Sequence, residues 1–385
     1  MRPFEVFYSG DFLDPTGKVA TGYFGEDLLQ TAPHVRHGFL MDESPVTLGA
    51  AYGEKLYSMQ LEPHHVAAAD GIVLIRPYVR RSAFANGAER LTVIGRAGVG
   101  TDKIDLTACT ENDVAVFNAP SSLTLSTASA AMLFILALAK RLPAQERMAR
   151  SGDWGSQASV TGDDLIGQTL GIVGLGRISW ELIRLLEPFG MRVLAYSRHC
   201  PPEEAAAHKV ELVDMDTLLR QSDYVSLHCA LIDSTRGLMG EQQFALMKPT
   251  AYFINTGRGE LVQQDALVRV LQERRIAGAG LDVFAPEPLA ATDPLTGLDN
   301  VILTPHWLPT THRVVRLVGV AMAEGILRTA RGEVPENIVN PEVLKRAGFK
   351  TKLGRFAVNR RDSLSPTDVS HGKTPLPGSP APSNC

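Results

Sequence analysis

Short apolar runs recur along the first third of the chain, at residues 6–8, 72–75, 91–94 and 114–117, separated by more polar stretches long enough for helices. That rhythm predicts an α/β unit. A second alternation begins at Leu170, with runs at 171–173, 193–196, 224–227, 252–254, 279–283 and 301–303. Strands alternating with helices predict a parallel sheet. Between the two units, residues 126–141 contain neither Gly nor Pro and are rich in Ala and Leu, which predicts a strong helix joining two domains. Its longest apolar run, 130–139, is too short to cross a bilayer and suits a buried core or a subunit interface. From Pro341 onward apolar clustering fades and Pro, Ser, Gly, Lys and Arg accumulate, so residues 341–385 are expected to form a disordered tail.

A chain of 385 residues favours two domains over one. Its 44% hydrophobic and 21% charged residues are ordinary globular composition, and a formal charge of -4 offers no electrostatic reason for nucleic-acid binding. Cys109, Cys200, Cys229 and Cys385 form no CxxC pair, so neither a zinc site nor a disulfide framework is indicated, which fits a reducing cytoplasm. The first ten residues lack the basic-then-apolar pattern of a signal peptide, and nothing suggests a membrane partner.

The segment Thr169-Leu-Gly-Ile-Val-Gly174-Leu-Gly176-Arg177-Ile178-Ser179 reads as strand, glycine-rich turn and helix start. Ile178, Leu182, Leu185, Leu186 and Phe189 follow at helical spacing, and residues 192–196 read as the next strand, completing a βαβ unit. Gly174 permits the tight turn, and Gly176 lets backbone N–H groups at the helix start approach a pyrophosphate. Ser179 stands where the third fingerprint glycine is expected, and as a small residue can still allow close helix-to-strand packing. The second strand ends Tyr196-Ser197-Arg198-His199, without the carboxylate that usually accepts from the ribose hydroxyls of NAD. Ser197 can donate to a 2′-phosphate and Arg198 can neutralise it, so NADP is preferred over NAD. Arg198 as a plain solvated charge is the alternative.

Polar groups gather where three later strands end: Asn255-Thr256-Gly-Arg258-Gly, Leu281-Asp282-Val-Phe-Ala-Pro-Glu287-Pro and Thr304-Pro-His306. In open α/β sheets these ends form the ligand crevice. Singly, Arg258 reads as a surface ion-pair partner, Glu287 as solvated and His306 as a satisfied core histidine. In their order, together with Gly95-Arg-Ala-Gly-Val-Gly-Thr-Asp-Lys-Ile-Asp105, Asn118-Ala-Pro-Ser and Met247-Lys-Pro-Thr-Ala-Tyr-Phe-Ile-Asn-Thr-Gly-Arg-Gly259, they resemble the D-isomer-specific 2-hydroxyacid dehydrogenases, which include phosphoglycerate dehydrogenases and glyoxylate/hydroxypyruvate reductases. The likeness covers most of residues 4–340.

The resemblance implies a Rossmann nucleotide domain (121–305) inserted in a flavodoxin-like substrate domain (1–120 and 306–340), both doubly wound parallel α/β, with the active site in the cleft between them. It implies hydride transfer between NAD(P)H and a small 2-keto or 2-hydroxy acid, D-specific, with Arg258, Glu287 and His306 as the catalytic set. A histidine, with an ordinary pKa of ~6.5, can protonate a carbonyl oxygen near neutral pH, and a carboxylate beside it favours the protonated form and fixes the ring. Arg258 offers a planar fork for the substrate carboxylate and keto oxygen. The likeness further implies that Gly98, Val99 and Gly100 present N–H groups to that carboxylate, that Arg76 adds a second cation, and that Asp282, with Thr256, orients the nicotinamide carboxamide. A homodimer through residues 130–142 is the family expectation.

Two departures bear on the pocket. Ala128-Ser129-Ala130 stands where many members have Ala-Glu-His, and Trp307-Leu-Pro-Thr follows His306 in place of small residues. Trp307 is read as either a wall of the site or a packed core aromatic. A non-catalytic NAD(P)-sensing scaffold, like the corepressor in the same family, is the rival reading, and phosphite oxidation is a second enzymatic one.

Overall fold

The computed structural model describes residues 2–40 and 50–357. Among the described residues twelve strands form two parallel sheets. The first holds β1 (Phe4–Tyr8), β2 (Val35–Phe39), β3 (Gly71–Leu74), β4 (Val93–Arg96) and β5 (Ala115–Asn118) in the order β2-β1-β3-β4-β5. The second holds β6 (Thr169–Val173), β7 (Arg192–Tyr196), β8 (Val210–Leu212), β9 (Tyr224–Leu227), β10 (Tyr252–Asn255), β11 (Gly278–Leu281) and β12 (Val301–Leu303) in the order β12-β11-β10-β9-β6-β7-β8. The fold is thus two doubly wound α/β units, as the alternation predicts. Both orders reverse direction beside a central strand, and such a switch point leaves a crevice at the carboxyl ends of the strands.

Helices cover both faces, and β3, β5, β6, β9 and β11 expose no residue; β5, last in its sheet, meets an isolated bridge from Phe117 to Ile338. These are the strands that an apolar run announces. Two strands carry no such signal, β2 (Val-Arg-His-Gly-Phe) and β8 (Val-Glu-Leu). Each lies at a sheet edge with a single neighbour, where polar side chains face water and no continuous apolar run is needed.

The expected joining helix runs Thr124–Ala139 and packs on β10 and β11, where a Cβ on Gly280 would come within 2.6 Å of the Phe134 ring. Arg141, at φ 51°, breaks it from the helix Leu142–Ser151. After β12 the chain returns to the first sheet through the helix His312–Ala330, which packs against β4 and β5 with Met322 and Ile326 buried. Its Gly325 lies flat on the Phe117 ring, where a Cβ would sit 2.3 Å away. Among the described residues no single helix is long and apolar enough to cross a membrane.

One expectation is overturned. The segment from Pro341, read as the start of a disordered tail, forms a 3-10 turn (Pro341–Lys345) and a helix (Ala347–Gly354) that close over the first domain. Val343, Phe349 and Phe356 are buried in its core, and the Phe356 ring meets Phe4 edge-on at 4.9 Å. Lys352 donates to the carbonyls of Leu91 (3.0 Å), Asn112 (2.6 Å) and Asp113 (3.2 Å), so a residue that raised the polar count serves as an internal clamp. Three widely spaced apolar anchors suffice here because the surface they cover is preformed. The rest of that expected tail, 358–385, lies outside the described residues.

Asn340 joins this segment to the sheet. Its Oδ1 accepts from Val116 N–H at 2.8 Å, and its Nδ2 donates to Val114 O at 3.0 Å and to Thr110 Oγ1 at 2.9 Å. Asn340→Ala strands a buried strand N–H, so we expect a loss of about 1–3 kcal/mol. A lower urea midpoint with an unchanged slope is the expected reading in an unfolding titration.

Candidate active site

At the crevice of the second sheet, β6 ends in Gly174, at φ 94°, a left-handed geometry that favours glycine. A Cβ there would also lie 2.7 Å from the Cys229 N, whereas beside Gly176 nothing lies within 4 Å. The helix Arg177–Leu186 begins immediately, so its first N–H groups open onto free space at a positive helix end. Ser179, in the third-glycine position, is fully buried and donates its hydroxyl to Gly174 O at 2.6 Å. Its small volume lets the helix pack, and its polar atom is satisfied within the turn. Arg177 is exposed and reaches Ser121 Oγ at 3.3 Å, and Ile178 packs partly buried against the adjoining core.

Beyond β7, Ser197 Oγ accepts from Cys200 N–H at 3.3 Å, and the exposed Arg198 donates to Ser234 Oγ at 3.2 Å. Neither has a carboxylate partner among the described residues. Thr256, after β10, buries a hydroxyl that meets no partner among the described residues. An orphaned buried hydroxyl at a strand end fits a polar ligand group arriving there.

Asp282 departs in part from its expected task. It is 1% exposed, and its Oδ1 accepts from Thr304 Oγ1 (2.5 Å), Trp307 N–H (3.1 Å) and Leu308 N–H (3.2 Å). Burial raises its pKa, against the pull of these donors and of His306. The carboxylate therefore ties down the loop that carries His306, a role that the resemblance did not assign to it.

His306 sits on that loop at φ 53°, a backbone state rare for a residue other than glycine. Its Nδ1 meets Glu287 Oε2 at 2.9 Å, while the imidazole keeps 35% of its surface exposed and Glu287 15%. The other Glu287 oxygen, Oε1, accepts from Phe284 N–H at 3.2 Å. His306 is thus an oriented, accessible imidazole rather than a core histidine. His228, the neighbouring strand-end imidazole, contrasts with it: burial drives His228 down to about 4, and its Nε2 is taken up by Ser226 Oγ at 2.8 Å.

Arg258 reaches from the second domain to the first, where its Nε pairs with Asp102 Oδ1 at 2.9 Å. Its Nη1 donates to Gly257 O at 2.8 Å. Its Nη2 lies over Gly100, occupying the place of a Cβ. Asn255 holds the turn below it, donating to Arg258 O at 2.9 Å and accepting from Gly257 N–H at 3.0 Å. The loop Gly98-Val99-Gly100 therefore faces Arg258 directly, but it does not offer three N–H groups. That of Gly98 is engaged by Arg96 O at 2.8 Å, and among the described residues those of Val99 and Gly100 meet no acceptor.

Arg76 lies on the same side. Its N–H donates to Asp11 Oδ2 at 2.8 Å, its guanidinium is 3.6 Å from that oxygen, and it sits over the rings of Tyr57 (5.4 Å) and Trp307 (5.3 Å). Trp307, 40% exposed and under the Arg76 guanidinium, is not a core aromatic.

Several residues were missed. Asp102 and Lys103 lie inside a quoted motif, yet their partners are far off in sequence: Arg258 is 156 positions from Asp102. Arg96 supports the glycine loop through Gly100 O (2.9 Å) and Ala97 O (2.7 Å), and burial beside Arg258 pulls its guanidinium down to about 10. Tyr57 lies on the helix Ala50–Ser58, which carried no chemical signal of its own.

Residues 132–307 match the family model described as D-isomer specific 2-hydroxyacid dehydrogenase, NAD binding domain. Over 254 residues the chain is 41% identical to the D-3-phosphoglycerate dehydrogenase of Methanocaldococcus jannaschii, a match covering 66% of this chain and 48% of that protein, so this chain aligns with about half of that relative. It is 40% identical over 261 residues to the glyoxylate reductase of Korarchaeum cryptofilum, covering 67% of this chain and 79% of the other. In three dimensions it resembles the crystal structure of a glyoxylate reductase from Paecilomyes thermophila, with a TM-score of 0.71 and 26% identity, covering 88% of this chain and 99% of that one.

Gly174→Ala places a methyl group against Cys229 in a backbone state that alanine resists. Binding of reduced nicotinamide dinucleotide, followed by fluorescence titration, is expected to weaken on the order of tenfold, about 1.4 kcal/mol.

Proposed function

The chain belongs to the D-isomer-specific 2-hydroxyacid dehydrogenase family, and on that premise we propose that it reduces a small 2-keto acid to the D-2-hydroxy acid with NADPH, and catalyses the reverse. The observation that carries this reading is the imidazole of His306, a third exposed, held by Glu287 at 2.9 Å and facing the cleft that Arg258 spans.

The nicotinamide cofactor, when bound, supplies or accepts the hydride at the substrate C2. Gly174, Gly176, Arg177 and Ile178 would hold its pyrophosphate end, and Thr256 and Asp282 its carboxamide end. In the reductive direction His306 donates the proton that converts the keto oxygen to a hydroxyl, and in the oxidative direction it takes that proton back. Glu287 holds the ring in place through Nδ1 and stabilises its charged form, which leaves Nε2 as the atom that moves the proton. Arg258 turns its fork from Asp102 toward the substrate carboxylate and keto oxygen, aided by the N–H groups of Val99 and Gly100. Arg76 adds positive potential from the Trp307 side. Closure of the cleft excludes water and strengthens each of these contacts.

Ser197 and Arg198 support NADPH as the preferred donor, since residues 195–202 carry no carboxylate to repel a 2′-phosphate. The exposed apolar side chains Leu125, Leu133, Leu142 and Trp154 lie along the helices and turn from 124 to 160, and they support a homodimer through that face.

The direct test is oxidation of NADPH and NADH, followed by absorbance, with glyoxylate, hydroxypyruvate and other 2-keto acids. Turnover with at least one acid is expected. Silence across the panel with cofactor still bound would turn the assignment toward a non-catalytic sensor. His306→Ala should lower kcat by roughly 10²–10⁴-fold while dinucleotide binding is retained. Arg198→Ala should weaken NADPH, and not NADH, by roughly 1.5–3 kcal/mol, read as the ratio of the two KM values.

A further inference from the structure

Beyond the carboxyl ends of β3, β4 and β12, cations and aromatic rings alternate in one stack. Arg80 lies over Tyr78 at 4.8 Å, Lys103 Nζ over Tyr78 at 4.9 Å and over Tyr57 at 5.2 Å, and Arg76 over Tyr57 at 5.4 Å and Trp307 at 5.3 Å. The last ring belongs to the residue after His306, so one end of the stack borders the acid–base pair. Its backbone is pinned: Val79 N–H donates to Lys103 O at 2.9 Å, and Tyr78 is tied to Met59 O and Leu61 N–H.

The cations facing this cleft are not equally served. Arg76 pairs with Asp11, Arg258 with Asp102 and His306 with Glu287, while Arg96 donates to two carbonyls. Lys103 differs. Its ammonium is partly buried between two rings, and among the described residues no oxygen accepts from it. Two aromatic faces attract such a cation and satisfy none of its three N–H donors. Burial lowers its proton affinity, and the charges of Glu287 and Asp102 act against that loss, so Lys103 faces the same cleft as the catalytic pair. A partly desolvated ammonium with unmet donors, beside a site already equipped for one carboxylate, is complementary to a second anion.

We infer that Lys103, flanked by Tyr57 and Tyr78, receives a second negatively charged group at the far end of the substrate, so that the preferred substrate is a 2-keto acid with a distal carboxylate or phosphate. This rests on the reductase reading above and narrows it from small 2-keto acids in general to dianionic ones. The rings on either side restrict the ammonium to the pocket, and Arg76, held by Asp11 and Trp307, adds positive potential without turning away.

The test uses the full chain and pairs of acids matched in length, with or without the distal charge: oxaloacetate against 2-ketobutyrate, 2-ketoglutarate against 2-ketovalerate, and 3-phosphohydroxypyruvate against hydroxypyruvate. The first two pairs report a distal carboxylate and the third a phosphate. We expect kcat/KM to favour the charged member of at least one pair by about tenfold or more. Lys103→Met should remove most of that preference, chiefly through KM, by lowering kcat/KM for the charged acid about tenfold more than for its neutral match. Lys103→Arg, which keeps the charge, should retain part of it. Equal rates within every pair, or a Lys103→Met variant whose loss is the same for both members, overturns the inference while leaving the reductase reading intact. Absence of turnover with all six acids, with dinucleotide still bound, sinks both.

Discussion

Three hydrogen bonds converge on one oxygen, Oδ1 of Asp282, and the geometry of the cleft depends on them. The loop after β12 must turn sharply to present His306, and it does so with that residue in a left-handed backbone state that costs on the order of 1–3 kcal/mol. A buried carboxylate accepting from Thr304, Trp307 and Leu308 holds the loop in that state. With the loop fixed, the imidazole meets Glu287 and the indole of Trp307 meets Arg76. One buried acid after β11 thereby fixes the His306–Glu287 pair and the position of Trp307 together.

What the sequence discloses follows the physics of burial. The strands β3, β5, β6 and β9 are covered on both faces and read as apolar runs, so the alternation and the two-sheet class were legible. The edge strands β2 and β8 need no such run and left none. The glycine turn at 174–176 was legible because a positive φ and close backbone approach restrict the residue type locally. Arg258, Glu287 and His306 became readable only as an ordered set resembling a family, since each alone has an ordinary surface or core explanation.

Much of what was not legible comes from the distance in sequence between partners. Asp102 and Arg258 are 156 positions apart, and nothing near either announces the other. Gly98 is the local exception, since its N–H donates to the carbonyl of Arg96 two positions back. The segment after Pro341 has too few apolar residues to order itself, yet it orders on a surface that the rest of the chain has built, with Phe349 and Phe356 as anchors. Composition measures what a segment can bury alone and not what is waiting to receive it.

The pairing of Arg258 with Asp102 has a consequence for competition. An arginine left bare in an anion-binding cleft would collect chloride, phosphate or any carboxylate from solution. Here the guanidinium already has an anionic partner supplied by the chain itself, at an effective concentration that for tethered groups reaches millimolar or above. A simple anion gains little by displacing it. On the proposed reading, a 2-keto acid gains more, because it engages His306 and the Val99 and Gly100 N–H groups at the same moment. On that reading the internal carboxylate is a threshold that such a ligand crosses and a stray ion does not.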